Sequence, residues 1–314
     1  MTAALSALFP VLLFIGLGGF AGRIGWVGPE AAKGLANLVF LVLTPALLFR
    51  TMAGVRWGDL HFAPVSVYFA AALAVFFGVL WRCGFGRRGA VLALASTFSN
   101  TVMIGIALVG LAFGKAGLVT LLTLISIHSL ILLTLATVVL ELAVMREASR
   151  AGAPRRSMAR SVLRVLRGAI LHPIPLPIVL GLLYAQTGWG LPGMVGQPLQ
   201  LLGNCVGPLA LILVGATLAR AQVGAQMAGA LRLALVKNLV HPALVAGLGL
   251  AFGLRGLPLA VMVTTAALPI GANVFMFSQR YRTAEELVTA GVAVSTLLAL
   301  ATVPLALAVA ALLA

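Results

Sequence analysis

The chain has 314 residues, of which 62% are hydrophobic and 9% charged, and its mean hydropathy is +1.15. There is too little polar residue here to coat a soluble core, so a soluble protein is not expected and the bilayer is the main solvent. A formal net charge of +15 would suggest nucleic acid in a soluble domain, but the basic residues sit almost entirely between apolar stretches, where they orient a membrane protein and meet anionic lipid headgroups. Membrane lipid is therefore an expected partner and nucleic acid is not.

About 20 predominantly apolar residues cross a bilayer as a helix. On that measure the chain predicts ten spans. The first five cover 3–22, 31–49, 62–81, 90–113 and 118–145, and the second five cover 169–186, 199–219, 233–252, 257–277 and 287–313. The first span is expected to remain in the mature protein, because Met1 to Gly22 contains no Lys or Arg to make the basic start of a signal peptide. Cys83 and Cys205 have no metal-ligand spacing, so neither a disulfide framework, a zinc site nor a cofactor is expected.

Between the two sets lies a run of seven arginines from Arg146 to Arg167. The predicted organisation is a first five-helix repeat over 1–145, a basic cytoplasmic linker over 146–168 and a second five-helix repeat over 169–314. In the linker Arg156, Arg160, Arg164 and Arg167 recur at helical spacing while Met158, Val162 and Val165 take another face. That pattern suits an amphipathic helix on anionic lipid, and equally a solvated basic segment.

An odd number of spans per half makes the second half enter the membrane from the opposite side, which is the inverted-repeat plan of many secondary transporters. With the basic run in the cytoplasm both termini lie outside. Arg23, Arg82, Arg87, Arg88, Arg220, Arg280 and Arg282 then join the seven arginines on the cytoplasmic side, with Lys33 and Arg232 near that side. Arg50, Arg56, Lys115 and Arg255 face outward. The positive-inside rule favours this orientation, in a bacterial inner membrane.

The two halves also match in residues. Asn100-Thr-Val-Met103 in the fourth span corresponds to Asn273-Val-Phe-Met276 in the ninth, Pro45 to Pro208, and Pro10 to Pro177, in the same order and at similar offsets. The fourth span contains Ser96-Thr-Phe-Ser-Asn-Thr101, and the ninth contains Leu268-Pro-Ile-Gly-Ala-Asn273. Proline removes a backbone donor, and glycine, serine and asparagine offer the backbone alternatives to regular helix. Both spans are therefore expected to break near mid-membrane.

Lipid cannot satisfy the amide and carbonyl groups that a break frees, so such a break must be packed in protein or line a wet cavity. Two breaks running in opposite directions would cross near the bilayer centre, where half-helix N-termini offer partial positive charge to an anion. Ser99, Asn100, Thr101, Pro269, Gly271 and Asn273 are the candidate substrate-binding residues, together with Lys237 and His128 of neighbouring spans. The competing role for Asn100 and Asn273 is to tie helices together.

These segments resemble the auxin efflux carrier family, which includes plant auxin carriers and bacterial organic-acid permeases. The resemblance lies in the ten spans, the basic central loop, Phe98-Ser-Asn-Thr-Val-Met-Ile-Gly105, and Leu268-Pro-Ile-Gly-Ala-Asn-Val-Phe-Met-Phe-Ser278 followed by Tyr281. It implies a fold similar to sodium/proton antiporters and bile-acid transporters, with a scaffold of spans one, two, six and seven and a moving transport domain. It also implies a substrate at the crossover of spans four and nine, with Asn100 as the crossover asparagine, and a homodimer. Ala107 stands where many members have proline, and Val274 where plant members have a second span-nine proline. These departures favour a small organic anion other than auxin.

Intramembrane charge is sparse. Lys237 lies inside the eighth span, where it would attract an anion, sense protons, or snorkel to the headgroups. His128 in the fifth span is a candidate proton relay, or a histidine satisfied by backbone. Glu141 reads as an interfacial or ion-paired residue, and Asn37 and Asn204 as helix-packing residues. The only aspartate, Asp59, falls in a loop, which disfavours antiport by paired carboxylates but leaves proton or sodium coupling open. The sequence reading is thus an alternating-access permease for a small mono- or dicarboxylate. The alternatives are a sodium-coupled symporter resembling bile-acid transporters and a membrane-embedded enzyme. The last is disfavoured because HExxH, GxSxG and paired acidic motifs are missing.

Overall fold

A computed structural model describes residues 2–56, 58, 60, 62–150, 163, 175–219 and 224–313, and among these it is all helix with no strand. Most of the arginine-rich linker, within 151–162 and 164–174, lies outside the described residues, so its expected amphipathic helix is not described. In chain order the helices are α1 (Thr2–Arg23), α2 (Pro29–Met52), α3 (Phe62–Cys83), α4 (Arg87–Ala95) and α5 (Ile106–Arg150). They continue with α6 (Pro175–Gln186), α7 (Gly193–Leu218), α8 (Met227–Ala251), α9 (Gly256–Ala267), α10 (Asn273–Arg280) and α11 (Glu285–Leu313).

Among the described residues six helical segments are long and apolar enough to cross a membrane: Pro29–Met52, Phe62–Cys83, Thr101–Glu147, Gly193–Leu218, Met227–Ala251 and Glu285–Ala310. Shorter apolar helices cover Phe9–Arg23, Leu176–Gln186 and Gly256–Ala267. Large apolar side chains such as Phe9, Phe20, Phe77, Leu201 and Leu305 point outward, which only a lipid solvent makes favourable on this scale. Trp26, Trp81 and Trp189 are exposed near helix ends, where amphipathic rings meet the headgroup layer. The chain is an integral membrane protein.

The longest segment is not one straight rod. Gly114 has φ 61° and ψ −154° inside α5, a left-handed conformation that costs little only at glycine. A side chain at Gly110 would lie 3.6 Å from that of Leu118. Eight residues of straight helix would separate the two by about 12 Å, so the chain folds back at Gly114. The fourth and fifth apolar stretches are thereby separate arms.

Two packing groups emerge. In the first, α1, α2, α6 and α7 lie against one another with glycines at the crossings. A Cβ at Gly215 would overlap the Ile15 carbonyl and one at Gly18 the Ile212 carbonyl, while Gly203 seats against Leu47 and Gly181 against Phe49. Small residues let backbones approach in a solvent that supplies no hydrophobic drive between helices. The second group joins α3, α4, α5, α8, α9, α10 and α11. Its buried core includes Tyr68, Phe76, Leu94, Leu124, Val261 and Val288.

Three short π-helical turns interrupt these elements: Val39–Leu43 ahead of Pro45, Val236–Val240 ahead of Pro242, and Thr101–Gly105 at the head of α5. The first two accommodate a proline ring that would otherwise clash with the carbonyl one turn back.

At one end of the second group Glu141 accepts a hydrogen bond from the Tyr281 hydroxyl at 3.0 Å. Arg87 pairs with Glu147 at 2.7 Å and donates to the Tyr281 carbonyl at 3.3 Å. Burial, the hydrogen bond to Glu141 and that residue's charge all hold the Tyr281 phenol protonated, above its usual range. Glu141 is thus a buried hydrogen-bonded carboxylate that ties the turn after α10 to α5. Tyr281→Phe strands it, and is expected to cost about 1–3 kcal/mol, read as a lower Tm in detergent.

Candidate functional site

The fourth and ninth apolar stretches both break. After α4 the backbone leaves the helix at Ser96 to Asn100 and resumes at Thr101; after α9 it leaves at Leu268 and resumes in α10. The two extended pieces pair antiparallel at Ser99 and Ile270. The Asn100 amide donates to the Pro269 carbonyl at 2.8 Å and the Gly271 amide to the Phe98 carbonyl at 2.9 Å. These bonds satisfy groups that the breaks freed, as burial requires.

Glycine is necessary at the crossing. A Cβ on Gly271 would stand 2.7 Å from the Phe98 ring and 3.1 Å from the Ser99 carbonyl. Asn100 begins the downstream half-helix, its Oδ1 accepting from the Met103 amide at 3.3 Å, which supplies one of the acceptors a helix N-terminus lacks. Asn273 is the first residue of α10. Two half-helices therefore start at the crossing, each led by an asparagine.

The expected site residues divide by accessibility. Asn100 and Asn273 are half-buried, with Val102 half-buried and Ala272 exposed beside them. Ser99, Thr101, Pro269, Gly271, His128 and Lys237 are buried. The open face of the crossing thus carries the two asparagines, and the others stand behind it. Asn37 and Asn204 are exposed on α2 and α7.

Behind the crossing lies a compact polar cluster. The Tyr68 hydroxyl is 3.1 Å from Ser99 Oγ and 3.4 Å from His128 Nε2, and the His128 ring sits on Phe98 at 4.6 Å between centroids. His128 is therefore partnered by a tyrosine hydroxyl instead of by backbone. His241, wholly buried, packs edge-on to Tyr68 at 5.2 Å, and neither of its ring nitrogens has a hydrogen-bond partner among the described residues. Asn238 donates to the Ser295 carbonyl at 2.8 Å and Ser295 Oγ accepts from the Ile270 amide at 3.1 Å, so α8 and α11 brace the ninth-stretch break. Tyr68, Asn238 and Ser295 escaped the sequence reading. Their one signal was a polar side chain inside an otherwise apolar run.

Lys237 does not snorkel. It is fully buried, and its Nζ donates to the Ala266 and Leu268 carbonyls, each at 2.6 Å, at the broken end of α9. These two bonds give the buried amine the partners that water would otherwise supply.

The family model described as "Membrane transport protein" matches residues 3–307. The "Uncharacterized transporter" of Methanothermobacter thermautotrophicus is 26% identical over 94% of this chain and 94% of its own length. The "Putative malonate transporter" of Rhizobium meliloti is 26% identical over 88% of this chain and 86% of its own. "Auxin efflux carrier component 8" of Arabidopsis thaliana is 27% identical over 45% of this chain and 40% of its own. With nearly its whole length matched, the chain belongs to the membrane transport protein family, the auxin efflux carrier group that its two broken segments resemble, and is a transporter.

Proposed function

We propose that the chain is an alternating-access carrier for a small organic anion, a mono- or dicarboxylate, bound at the open face of the crossing. The observation that carries this is the pair of half-helix N-termini led by Asn100 and Asn273 and held together by the two backbone hydrogen bonds. Half-helix N-termini attract anions through free amides and the helix dipole, and an asparagine amide adds a donor that orients a carboxylate. In this reading the chain makes ten spans in two inverted five-helix repeats with both termini outside. Support comes from the fold-back at Gly114, the paired breaks and the arginine asymmetry. The α1, α2, α6 and α7 group is the scaffold, and the other helices move against it. The name of the Rhizobium relative makes malonate the first solute to try.

The test is a thermal-shift and binding screen of purified protein in detergent against malonate, other small mono- and dicarboxylates and indole acids. A solute that binds only the folded state raises Tm by mass action. Asn273→Ala removes an amide outright, and Asn100→Ser removes the amide donor while keeping a capping oxygen. Each is expected to weaken binding about 10- to 100-fold, the worth of one hydrogen bond to a charged group. Wild-type affinity in both variants would remove the crossing from the account.

A further inference from the structure

We infer that the seam between the two packing groups holds an acyl chain of a membrane phospholipid, lying in an apolar cleft with α1 on one side and α5 and α11 on the other. The inference goes beyond the carrier reading and does not rest on it.

The cleft follows from how α1 is seated. One face of α1 is drawn onto α7 at backbone contact through Gly18, Gly22 and Gly215. Towards the second group α1 presents the branched Val11 and Ile15, and across the cleft from them stand Ile104 and Leu108 at the head of α5 and Ala299 and Val303 of α11. Ala299 is the smallest side chain of this lining, and the branched ones do not fill the space. Atoms that line a gap lose dispersion contacts, so a guest that supplies them is stabilising.

The chemistry of the guest follows from the lining. Thr296 brings the one side-chain hydroxyl, and its Oγ1 already donates to the Val292 carbonyl at 2.7 Å. The other lining side chains are apolar. A cavity that offers no unmet polar side chain stays dry and takes apolar guests, and an organic anion finds no donor there. Along α11 the lining runs from Thr296 to Pro304, about 12 Å of helix axis, near the middle of the membrane-crossing segment Glu285–Ala310. Val11 and Ile15 likewise lie near the middle of α1. A slot elongated along a crossing helix at that depth meets the tail of a lipid and not its headgroup.

The cleft is also continuous with the lipid-facing surface. Leu12 lines it and lines as well the shallow groove of Phe9, Leu13, Gly16, Leu17 and Phe20 on the outer face of α1, where the large side chains are exposed. Phospholipid chains fill that outer groove, and the cleft is its inward branch.

The experiment reconstitutes the full chain in palmitoyl-oleoyl phosphatidylcholine vesicles that contain a small fraction of phosphatidylcholine with a diazirine near the middle of one acyl chain. After irradiation the labelled residues are mapped by mass spectrometry. Label is expected on the buried Val11, Ile15, Leu108 or Val303 as well as on the outer Phe9, Leu13, Leu17 and Phe20. Label confined to the outer positions overturns the inference. Ala299→Leu fills the cleft, and is expected to abolish label at the buried positions while the outer label stays. Undiminished label at the buried positions in Ala299→Leu overturns the inference too, because the chain then reaches them by another path. If Ala299→Leu cannot be purified, the wild-type map decides alone.

Discussion

Gly271→Val is expected to abolish solute binding, a loss beyond about 100-fold, while wild-type protein binds under the same conditions. The new Cβ meets the Phe98 ring at 2.7 Å and the Ser99 carbonyl at 3.1 Å. The ring can turn aside only by moving off His128, on which it is stacked, and the carbonyl is backbone of the bridge itself. The two segments must separate, which breaks the Gly271–Phe98 and Asn100–Pro269 hydrogen bonds. Each is worth about 0.5–1.5 kcal/mol when made, and overpacking adds about 1–3 kcal/mol. Separation also pulls the two half-helix starts apart, so binding should fail even where folded protein is recovered. Gly34→Ala is the control, on an exposed helical position with nothing within 4 Å. It should match the wild type in binding. A Gly271→Val protein that binds normally would mean the two breaks need not touch for function.

Gly215→Val is expected to eliminate folded protein. Here the obstacle is backbone: a Cβ at Gly215 overlaps the Ile15 carbonyl and comes within 2.7 Å of the Gly19 amide nitrogen. No rotamer change relieves a clash with main chain, so α1 and α7 must move apart. That separation undoes the reciprocal seats of Gly18 on Ile212 and Gly22 on Ala216. In lipid, close van der Waals packing of this kind is what associates helices, and losing it over a whole crossing exceeds the usual cost of about 1–3 kcal/mol for overpacking. The readout is the yield of monodisperse protein and its Tm. Gly16→Ala, next to Ile15 on α1 but with nothing within 4 Å of the new Cβ, should leave both unchanged. Normal yield and Tm for Gly215→Val would refute the tight α1–α7 crossing.

The two substitutions separate the roles of the packing groups. Gly215 acts in the helix group proposed as scaffold, and Gly271 acts at the site without touching that group. Tyr281→Phe probes a third place, the tie between α5 and the turn after α10. Its effect should fall on stability and leave solute affinity as it was, because Tyr281 lies beyond the far end of α10 from Asn273.

Much of this was legible in the chain because a bilayer imposes a local rule. Backbone groups in lipid must be satisfied by protein, which a helix does within its own segment, so an apolar run of sufficient length reads as a helix, and a cluster such as Ser99-Asn100 or Pro269-Ile-Gly271 reads as a break. By itself the sequence therefore determined the membrane class, the places where helices are interrupted, and the two asparagines that lead the resumed halves. What answers each freed group was decided only by tertiary packing. Lys237 reaches carbonyls of α9, Tyr68 meets Ser99 and His128, and Ser295 receives the Ile270 amide. None of these pairs is set by local spacing, since each joins elements that meet only once the helices have packed. The same reason explains Lys237 itself: its position in span eight left attraction, titration and snorkelling open, and the missing side-chain donor at the end of α9, brought beside it by the fold, is what gives its Nζ a place.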